Sequence, residues 1–308
     1  EKALEELNYV PNQLARGMRT HRTYTIGIVI PEFINSFYHE LFHYMEEECI
    51  KEGYRILVSS TRGGKEHIEH IKDLISRRID GLVFCTYQGD AELIDFLMEV
   101  EKNVPIVFLD NLDGDLPVNA VYTDGYDAVK RMVIHLLEMG HRKIGFIRGL
   151  SQYHVANDRY MGYRQAMEEN DLHIREDWVY EGDFHIESGY RAGKYFIEQC
   201  GDTPTAIIAA SDLMAIGAMN YLLAKGIDIP EEMAVAGYDD IFLSRLTVPS
   251  LTTIAQPMKM IVRKTMDLIT HQIEHPAIRR KKIALKGELK IRHTTDSRKL
   301  RILDLTIS

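Results

Sequence analysis

Short apolar runs alternate along this chain with longer stretches of helical periodicity, and this alternation limits the possible folds more than any other feature. From residue 24 onward the apolar runs are rich in β-branched side chains, as expected for strands. Strands that alternate with helices predict parallel sheets whose strands are joined by crossover helices. The sequence therefore predicts an α/β protein built on doubly wound parallel sheets.

The pattern predicts ten strands, too many for one compact open sheet and suited to two. The strands are expected at residues 24–30, 55–59, 81–85, 106–109, 120–123, 143–147, 178–181, 206–209, 234–237 and 251–254. The clearest helices are expected at residues 38–53, 66–77, 91–103, 126–139, 159–170, 188–200, 213–225 and 258–275. A boundary near Thr123 or Asp124 divides the strands into two similar sets, which predicts two lobes.

Composition indicates an ordinary soluble globular protein. The 308 residues are 45% hydrophobic and 27% charged, which leaves room for two domains of usual size. Cys49, Cys85 and Cys200 are too few and too scattered for a disulfide framework or a zinc cluster and favour a reducing cytosol. The sequence has no apolar run of about 18 residues and no hydrophobic leader, so we expect a cytoplasmic protein that does not contact membranes.

The segment of residues 11–22 carries a charge opposite to that of the whole chain. It contains Arg16, Arg19 and Arg22 and no acidic residue, whereas the chain has a net charge of −9. Pro11 can begin a short helix there, but Gly17 weakens it, so the helix should be ordered only when it packs against a partner. A basic segment on an otherwise acidic chain is the arrangement expected when only that segment binds phosphates. The alternative is a fraying arm with solvated arginines.

Unusual side chains follow the predicted strands, where ligands bind in open α/β sheets. Carboxylate and guanidinium groups can hold the vicinal hydroxyls of a sugar, and aromatic rings can stack on its C–H face. The predicted ligand contacts are Phe37, Tyr38, Asp124, Arg159, Phe184, Asp212 and Asp239.

Each of these residues also has an ordinary structural explanation. Asp212 can be the N-cap of its helix, Asp239 a turn residue and Phe184 part of the core. Arg159 is predicted in a first helical turn, where a cation opposes the helix dipole and needs a partner such as Asp158.

One catalytic pattern occurs, since His39-Glu40-Leu41-Phe42-His43 fits H-E-x-x-H, the helical zinc motif of metalloproteases. Only three positions of this pattern are fixed, the chain has 13 histidines, and the pattern falls where the ligand loops are expected. Gly63-Gly64-Lys65 lacks the glycine spacing of a phosphate loop, and neither G-x-S-x-G nor G-x-G-x-x-G is present. We therefore expect no catalytic residue, resident metal or cofactor. A sugar-binding protein of a transport system is the better alternative, but it has no use for a basic segment 11–22.

The run Leu7-Asn8-Tyr9-Val10-Pro11-Asn12, with Ala15 further on, resembles the end of the DNA-binding headpiece and the hinge helix of the lactose-repressor (LacI/GalR) family. Further motifs similar to that family occur in family order. They are Asp158-Arg159-Tyr160-Met161-Gly162-Tyr163, Gly182-Asp183-Phe184 with Ser188-Gly189-Tyr190, Ala210-Ser211-Asp212 with Ala215 and Gly217, Val235-Ala236-Gly237-Tyr238-Asp239-Asp240, and Pro249-Ser250-Leu251-Thr252-Thr253-Ile254. The resemblance covers about residues 1–296.

The resemblance implies a transcriptional regulator of the repressor type that binds operator DNA as a homodimer. The hinge helices of two subunits would pair in the minor groove and wedge an apolar side chain into a base step. That side chain is Met18 here, where the family usually has leucine. The implied DNA-binding residues are Asn12, Ala15, Arg16, Met18 and Arg19. The family's helix-turn-helix would precede Glu1, so most of the headpiece is expected to be missing from this chain.

The resemblance also implies a periplasmic-binding-protein type of body, in which the chain crosses three times between two lobes. The N-terminal lobe would comprise residues 23–123 and 256–284, and the C-terminal lobe residues 124–255 and 285–297. Residues 1–22 would form the end of the headpiece and the hinge, and residues 298–308 a C-terminal extension. Arg159, Asp212 and Asp239 correspond to effector contacts in the family, and closure around the effector would control operator binding allosterically.

Overall fold

The computed structural model describes residues 22–61, 65–85, 91–111 and 116–298. Within them the chain forms two α/β lobes, each built on a parallel sheet, which confirms the predicted fold class. The predicted DNA-binding residues Asn12, Ala15, Arg16, Met18 and Arg19 lie outside the described residues.

The N-terminal lobe contains a parallel sheet of six described strands in the order β11-β5-β4-β3-β1-β2. Its strands are β1 (Thr25–Ile30), β2 (Arg55–Ser60), β3 (Gly81–Phe84), β4 (Ile106–Phe108), β5 (Asn119–Thr123) and β11 (Lys282–Leu285). Its helices are α1 (Ser36–Lys51), α2 (Lys65–Ser76), α3 (Ala91–Glu101) and α9 (Met258–Glu274). One apolar core lies between the sheet and helices α1 and α9, and a second lies between its other face and helices α2 and α3. All but the first residue of β1 are buried, as expected for a central strand covered on both faces.

The C-terminal lobe contains a parallel sheet of four described strands in the order β7-β6-β8-β9. These strands are β6 (Ile144–Arg148), β7 (Val179–Glu181), β8 (Ala206–Ala209) and β9 (Ala234–Ala236). Its helices are α4 (Gly125–Glu138), α5 (His154–Glu169), α6 (Ile186–Glu198), α7 (Asp212–Ala224) and the short α8 (Phe242–Leu246). A single large apolar cluster joins the sheet to helices α4, α5, α6 and α7.

Three chain segments that pass between the lobes contact one another. The Thr123 hydroxyl and the Gln256 side-chain oxygen lie 2.8 Å apart. The Asp124 amide donates to the Leu285 carbonyl at 2.8 Å. Beside them, β10 (Thr253–Ala255) and β12 (Glu288–Lys290) form an antiparallel pair. The three segments therefore meet at one hub between the lobes.

Some elements differ from the predictions. Helix α5 begins at His154, so Arg159 lies in its second turn rather than in a first turn that opposes the dipole. Helix α8 and strands β11 and β12 were not predicted, because each is at most five residues long and mixes polar with apolar side chains. Among the helices of the described ranges, none has the length and apolarity needed to cross a membrane.

Candidate functional site

A cavity lies between the lobes at the carboxyl ends of their strands, and both lobes contribute to its wall. Its lining includes five of the predicted ligand contacts, namely Phe37, Tyr38, Arg159, Phe184 and Asp239. It also includes residues that were not predicted as ligand contacts, namely Cys85, Leu109, Asp110, Asn111, Tyr122, Thr123, Gly125, Val155, Asp158 and Gln256.

The cavity is narrow in this conformation. Its volume is about 60 Å³, enough for a few water molecules. A ligand with the bulk of a sugar therefore requires a small separation of the lobes or a shift of lining side chains before it can enter.

Arg159 is held in place by three groups of the C-terminal lobe. One guanidinium nitrogen donates to the Ala210 carbonyl at 2.5 Å, and another lies 3.7 Å from an Asp239 carboxylate oxygen. The guanidinium carbon lies 3.7 Å from the centre of the Tyr238 ring, a cation–π geometry. Asp239 is thus an ion partner of Arg159, and Asp158 lies 3.4 Å from the Asn111 amide of the other lobe.

Asp239 combines a strained backbone with a perturbed carboxyl group. Its φ angle is 122°, outside the usual region for a non-glycine residue. Its side chain accepts a 2.8 Å hydrogen bond from the Gln256 amide. Burial raises the pKa of Asp239 to about 7; the Arg159 charge opposes this increase and the Asp212 charge adds to it. A carboxyl that titrates near neutrality in a cleft is a candidate for ligand binding.

The structure does not bring Asp212 to the cavity. Its side chain is fully buried, and its carboxylate accepts hydrogen bonds from the Ile241 amide and from the Ser244 and Thr253 hydroxyls. The N-cap of α7 is Ser211 rather than Asp212, since the Ser211 hydroxyl accepts from the Met214 amide. Asp212 is therefore placed to join α8 and β10 to the start of α7.

Asp124 also lies outside the cavity wall, although its neighbours Thr123 and Gly125 line it. Its side chain caps α4 by accepting a 2.9 Å hydrogen bond from the Asp127 amide. A cap of this kind satisfies a backbone donor and complements the helix dipole.

Aromatic rings from both lobes form the apolar part of the wall. Phe37 and Tyr38 begin α1 in edge-to-face contact, with ring centres 5.2 Å apart. Phe184 opposes them in the C-terminal lobe, where it is 2% exposed and has a φ angle of 69°. A Cβ atom on Gly149 would lie 2.3 Å from the Phe184 ring, so only glycine leaves room for this ring. Phe184 is thus both a core residue and a wall of the cavity.

The unpredicted lining residues include much of the polar wall. Asp110 and Asn111 follow β4, so the carboxyl-end rule that selected the other candidates also applies to them, whereas Gln256 follows β10, which belongs to an antiparallel pair outside the parallel sheets. Burial raises the pKa of Tyr122, and the nearby Asp124, Asp158 and Asp110 charges increase it further. Tyr122 thus lies near three carboxylates, of which Asp110 and Asp158 also line the cavity.

Direct polar contacts also connect the lobes across the mouth of the cavity. His185, which precedes α6, lies 3.0 Å from the Glu32 carboxylate of the N-terminal lobe and 3.2 Å from Asp183 of its own loop. Burial lowers the pKa of His185, because it disfavours the charged imidazole. The hydrogen bonds and charges of Glu32 and Asp183 outweigh burial, so the pKa of His185 is raised.

The residues of the H-E-x-x-H pattern lie on α1. His39 contacts the Phe33 carbonyl at 2.9 Å, and His43 lies 3.5 Å from Glu47. Across the residues that the structure describes, no three histidine, cysteine or acidic side chains are grouped so that they could hold a metal ion.

Sequence comparison connects this geometry to known proteins. Residues 133–295 match the family described as "Periplasmic binding protein-like domain". The HTH-type transcriptional repressor PurR of Haemophilus influenzae is 34% identical over 277 residues, covering 89% of this chain and 81% of the repressor. The PurR repressor of Pasteurella multocida is 33% identical over 303 residues, covering 96% of this chain and 89% of the relative.

Solved structures are similar along nearly the whole chain. The transcriptional regulator CelR in complex with cellobiose superposes with a TM-score of 0.82 at 28% identity, covering 95% of this chain and 88% of CelR. The lac repressor dimer bound to operator and the anti-inducer ONPF gives a TM-score of 0.84 at 25% identity, covering 93% and 99% of the two chains. With its two lobes, its interlobe cavity and these relatives, the chain belongs to the LacI/GalR family of transcriptional regulators.

Proposed function

We propose that this regulator is a repressor whose interlobe cavity binds a sugar or sugar derivative and thereby controls its affinity for operator DNA. The observation that carries this proposal is the position of the cavity. Thr123 and Gln256, which belong to two of the segments passing between the lobes, form part of its wall. A ligand in the cavity therefore contacts the hub about which the lobes reorient.

The chemistry of the wall favours a polyhydroxylated ligand. Asp110, Asn111, Asp158, Asp239 and Gln256 supply carboxylate and amide groups that can form paired hydrogen bonds with neighbouring hydroxyls. The aromatic side chains on both lobes offer faces for the C–H surface of a sugar ring. The relative CelR forms a complex with cellobiose, a ligand of this class.

We assign the effector contacts to Phe37, Tyr38, Arg159, Phe184 and Asp239, together with Asp110, Asn111 and Gln256. Asp124 and Asp212 would act indirectly, by fixing the starts of α4 and α7. We keep the proposed lobe boundaries at residues 123/124, 255/256 and 284/285. Strand β11 pairs with β5 in the N-terminal sheet as far as Leu285, one residue beyond the last of these boundaries.

Operator binding would use residues 11–22 of two subunits, with Met18 as the wedge in the minor groove. Exposed apolar side chains support a homodimer. Phe33 and Ile34 precede α1, and Phe242, Leu243 and Leu246 lie on α8. Arg245 of α8 is near enough to Glu40 of α1 for its charge to act on that carboxyl. The exposed apolar side chains around these two helices are suited to contact with a second copy of the chain. We propose that the regulator acts in the cytoplasm and has no enzymatic activity.

A ligand screen on the full-length protein tests the effector site. We expect at least one neutral or phosphorylated sugar to raise the thermal midpoint, because a ligand that binds only the folded state stabilises it. Asp239→Asn should weaken calorimetric affinity for that sugar about 10- to 100-fold, as expected for loss of a hydrogen bond to a charged group. The exposed Asp228→Asn serves as the control.

Three results would contradict the proposal at separate points. If no sugar stabilises the protein, the proposed ligand class is wrong. If Asp239→Asn keeps both its fold and the wild-type affinity, the site assignment is wrong. If a saturating sugar leaves operator affinity unchanged in fluorescence anisotropy, the allosteric role is wrong.

A further inference from the structure

A basic surface lies at the amino ends of the strands in the N-terminal lobe, on the side of the sheet opposite to the cavity. A recess there is lined by side chains that precede β1, β3, β4 and β11. We call this region the amino-edge surface and define it by Arg22, Arg78, Lys102, Arg279, Arg280 and Lys281.

The two acidic residues that line the same recess are engaged within the lobe. Asp80 accepts hydrogen bonds from the Thr23 and Tyr24 amides at 3.0 and 2.6 Å. The Glu101 carboxylate accepts one hydrogen bond from the Gln272 amide at 3.2 Å and another from the Arg280 guanidinium. These carboxylates hold residues 23–24 and helix α9 against the sheet. Four of the six cations line the recess with these two acids and exceed them in number. Glu99 also pairs with Lys102, but both side chains of this pair are exposed and the pair adds little.

The most basic part of this surface has a fixed backbone. The Lys281 amide donates to the Asn119 side chain at 2.9 Å, and the Lys281 carbonyl accepts from the Ala120 amide at 3.0 Å. The Arg280 guanidinium donates to the Ile278 carbonyl at 2.8 Å. Arg279 and Lys281 are exposed on either side of Arg280. Their charges are thus presented to solvent from a well-anchored turn.

The location of this surface identifies its partner. Arg22 ends the basic segment 11–22 and lines the recess together with Arg78, Lys102 and Arg280. The positive charge of that segment therefore continues onto the body of a chain whose net charge is −9. A surface that extends a DNA-contacting segment and concentrates cations on an acidic protein is suited to the phosphates of the same duplex.

We propose that the amino-edge surface contacts the phosphate backbone of duplex DNA next to the operator core, in a contact that does not depend on base sequence. This inference rests on the proposed operator binding by residues 11–22. The contact would add affinity and salt dependence without altering which operator is chosen, because phosphate contacts carry no sequence information.

The test compares two duplexes that carry an operator selected from random DNA by the full-length wild-type protein. One duplex ends at the operator core, and the other extends it by a helical turn on each side. We expect Arg279→Glu with Lys281→Glu to weaken binding to the extended duplex about tenfold at low salt and to reduce its salt slope by about 1–2, as expected for loss of one or two phosphate contacts. Binding to the core duplex should change much less.

The matched control is Arg142→Glu with Lys143→Glu, an arginine–lysine pair just before β6 at the amino edge of the C-terminal sheet. It makes the same charge change at a distant edge and should leave both duplexes unaffected. Two results would overturn the inference. One is an equal loss of DNA affinity in the two double variants. The other is an unchanged salt slope for Arg279→Glu with Lys281→Glu on the extended duplex. Arg279→Gln with Lys281→Gln replaces the glutamate variant if that protein does not fold. If the wild type selects no operator, operator binding itself is refuted.

Discussion

At the scale of single residues, Asp212 and Asp239 follow neighbouring strands of the C-terminal lobe but have different surroundings. Asp239 lies in the cavity wall beside Arg159, whereas Asp212 is enclosed by donors from α8 and β10. Burial raises the pKa of Asp212 to about 6, although the hydrogen bonds from Ser244, Thr253 and Ile241 favour its charged form. The charged carboxylate is therefore held at a cost in stability.

The shift in Asp212 predicts the sign of a pH effect on stability. A carboxyl whose pKa is raised in the folded state stabilises the protein fully below its unfolded pKa, near 3.8, and loses this contribution as pH rises to about 6. Asp212→Asn should remove that decline and raise the free energy of unfolding at neutral pH by about 1–3 kcal/mol. Urea unfolding of both proteins between about pH 4 and pH 8 measures the difference.

The same variant should keep its affinity for the effector, because Asp212 does not line the cavity. An asparagine can direct its oxygen to Ile241 and Ser244, so two of the three hydrogen bonds survive, and its amide group can donate to the Thr253 hydroxyl, which donates to Asp212 in the wild type. Loss of effector binding in a folded Asp212→Asn protein would show that this carboxylate acts on the ligand. Asp212→Ala, which leaves buried donors unsatisfied, should instead be destabilised by several kcal/mol, at about 1–3 kcal/mol for each lost partner.

The contrast between these residues shows what the sequence can predict about the site. The rule that ligands bind beyond the carboxyl ends of strands selected both aspartates and would equally have selected Asp110 and Asn111. It could not separate Asp212 from Asp239, because the partners Ser244 and Thr253 lie more than thirty residues further along the chain. Gln256 was missed because nothing in the neighbouring sequence distinguishes a glutamine in a segment between the lobes from a glutamine elsewhere in the chain.

At the scale of elements, helices α6 and α7 approach each other closely enough for their backbones to meet. A Cβ atom on Gly217 of α7 would lie 2.0 Å from the Ile186 carbonyl oxygen, and one on Gly189 of α6 would lie 2.0 Å from the Met214 carbonyl oxygen. Both glycines belong to motifs that resemble the family, and the structure gives their physical role. They allow α6 and α7 to pack in direct contact.

Gly217→Ala should therefore destabilise the protein, although alanine is the better helix former by about 1 kcal/mol. The added methyl group meets backbone atoms that cannot rotate away, so the helices must separate, and overpacking of this kind costs about 1–3 kcal/mol or more. Thermal unfolding measures the effect. Gly201→Ala is the control, since the nearest atoms to its added Cβ are 3.9 Å away and it should change stability little. A Gly217→Ala protein as stable as the wild type would show that the helices are not held at this distance.

The success of sequence prediction at this scale depended on burial. The alternation of apolar runs and helical periodicity identified the central strands β1, β3, β6 and β8, because these are buried on both faces and carry a local signal. Strand β11 escaped detection, because it is an edge strand in which the exposed Lys282 and Ala284 alternate with the half-buried Ile283 and Leu285. Its place beside β5 depends on a pairing between residues about 160 positions apart along the chain.

At the scale of the whole molecule, the lobes are connected at the hub and again at the mouth of the cavity. The contact between Glu32 and His185 crosses the mouth, so it can form only while the lobes are close together. The groups that face His185 include Asp183 of its own loop, which Arg191 also approaches at 3.5 Å. An open arrangement would leave His185 with Asp183 but without Glu32. Closure and protonation of His185 should therefore favour each other.

This linkage predicts that effector affinity falls as pH rises through the raised pKa of His185. The charged bridge contributes fully while the imidazole is protonated and disappears as it loses its proton. Because the imidazole is more than one-third exposed, solvent screening limits the effect to about 0.2–1 kcal/mol, or about 1.4- to 5-fold in affinity.

Calorimetric titrations of the effector between about pH 6 and pH 8 should show this fall in affinity in the wild type and not in His185→Gln. Asp239, whose pKa is about 7, titrates in both proteins, so the difference between their two profiles isolates His185. His173→Gln, which alters an exposed histidine at the other edge of the C-terminal lobe, should match the wild type. Parallel profiles for wild type and His185→Gln would mean that the closed state gains nothing from this bridge, and closure would then depend on the ligand and the hub alone.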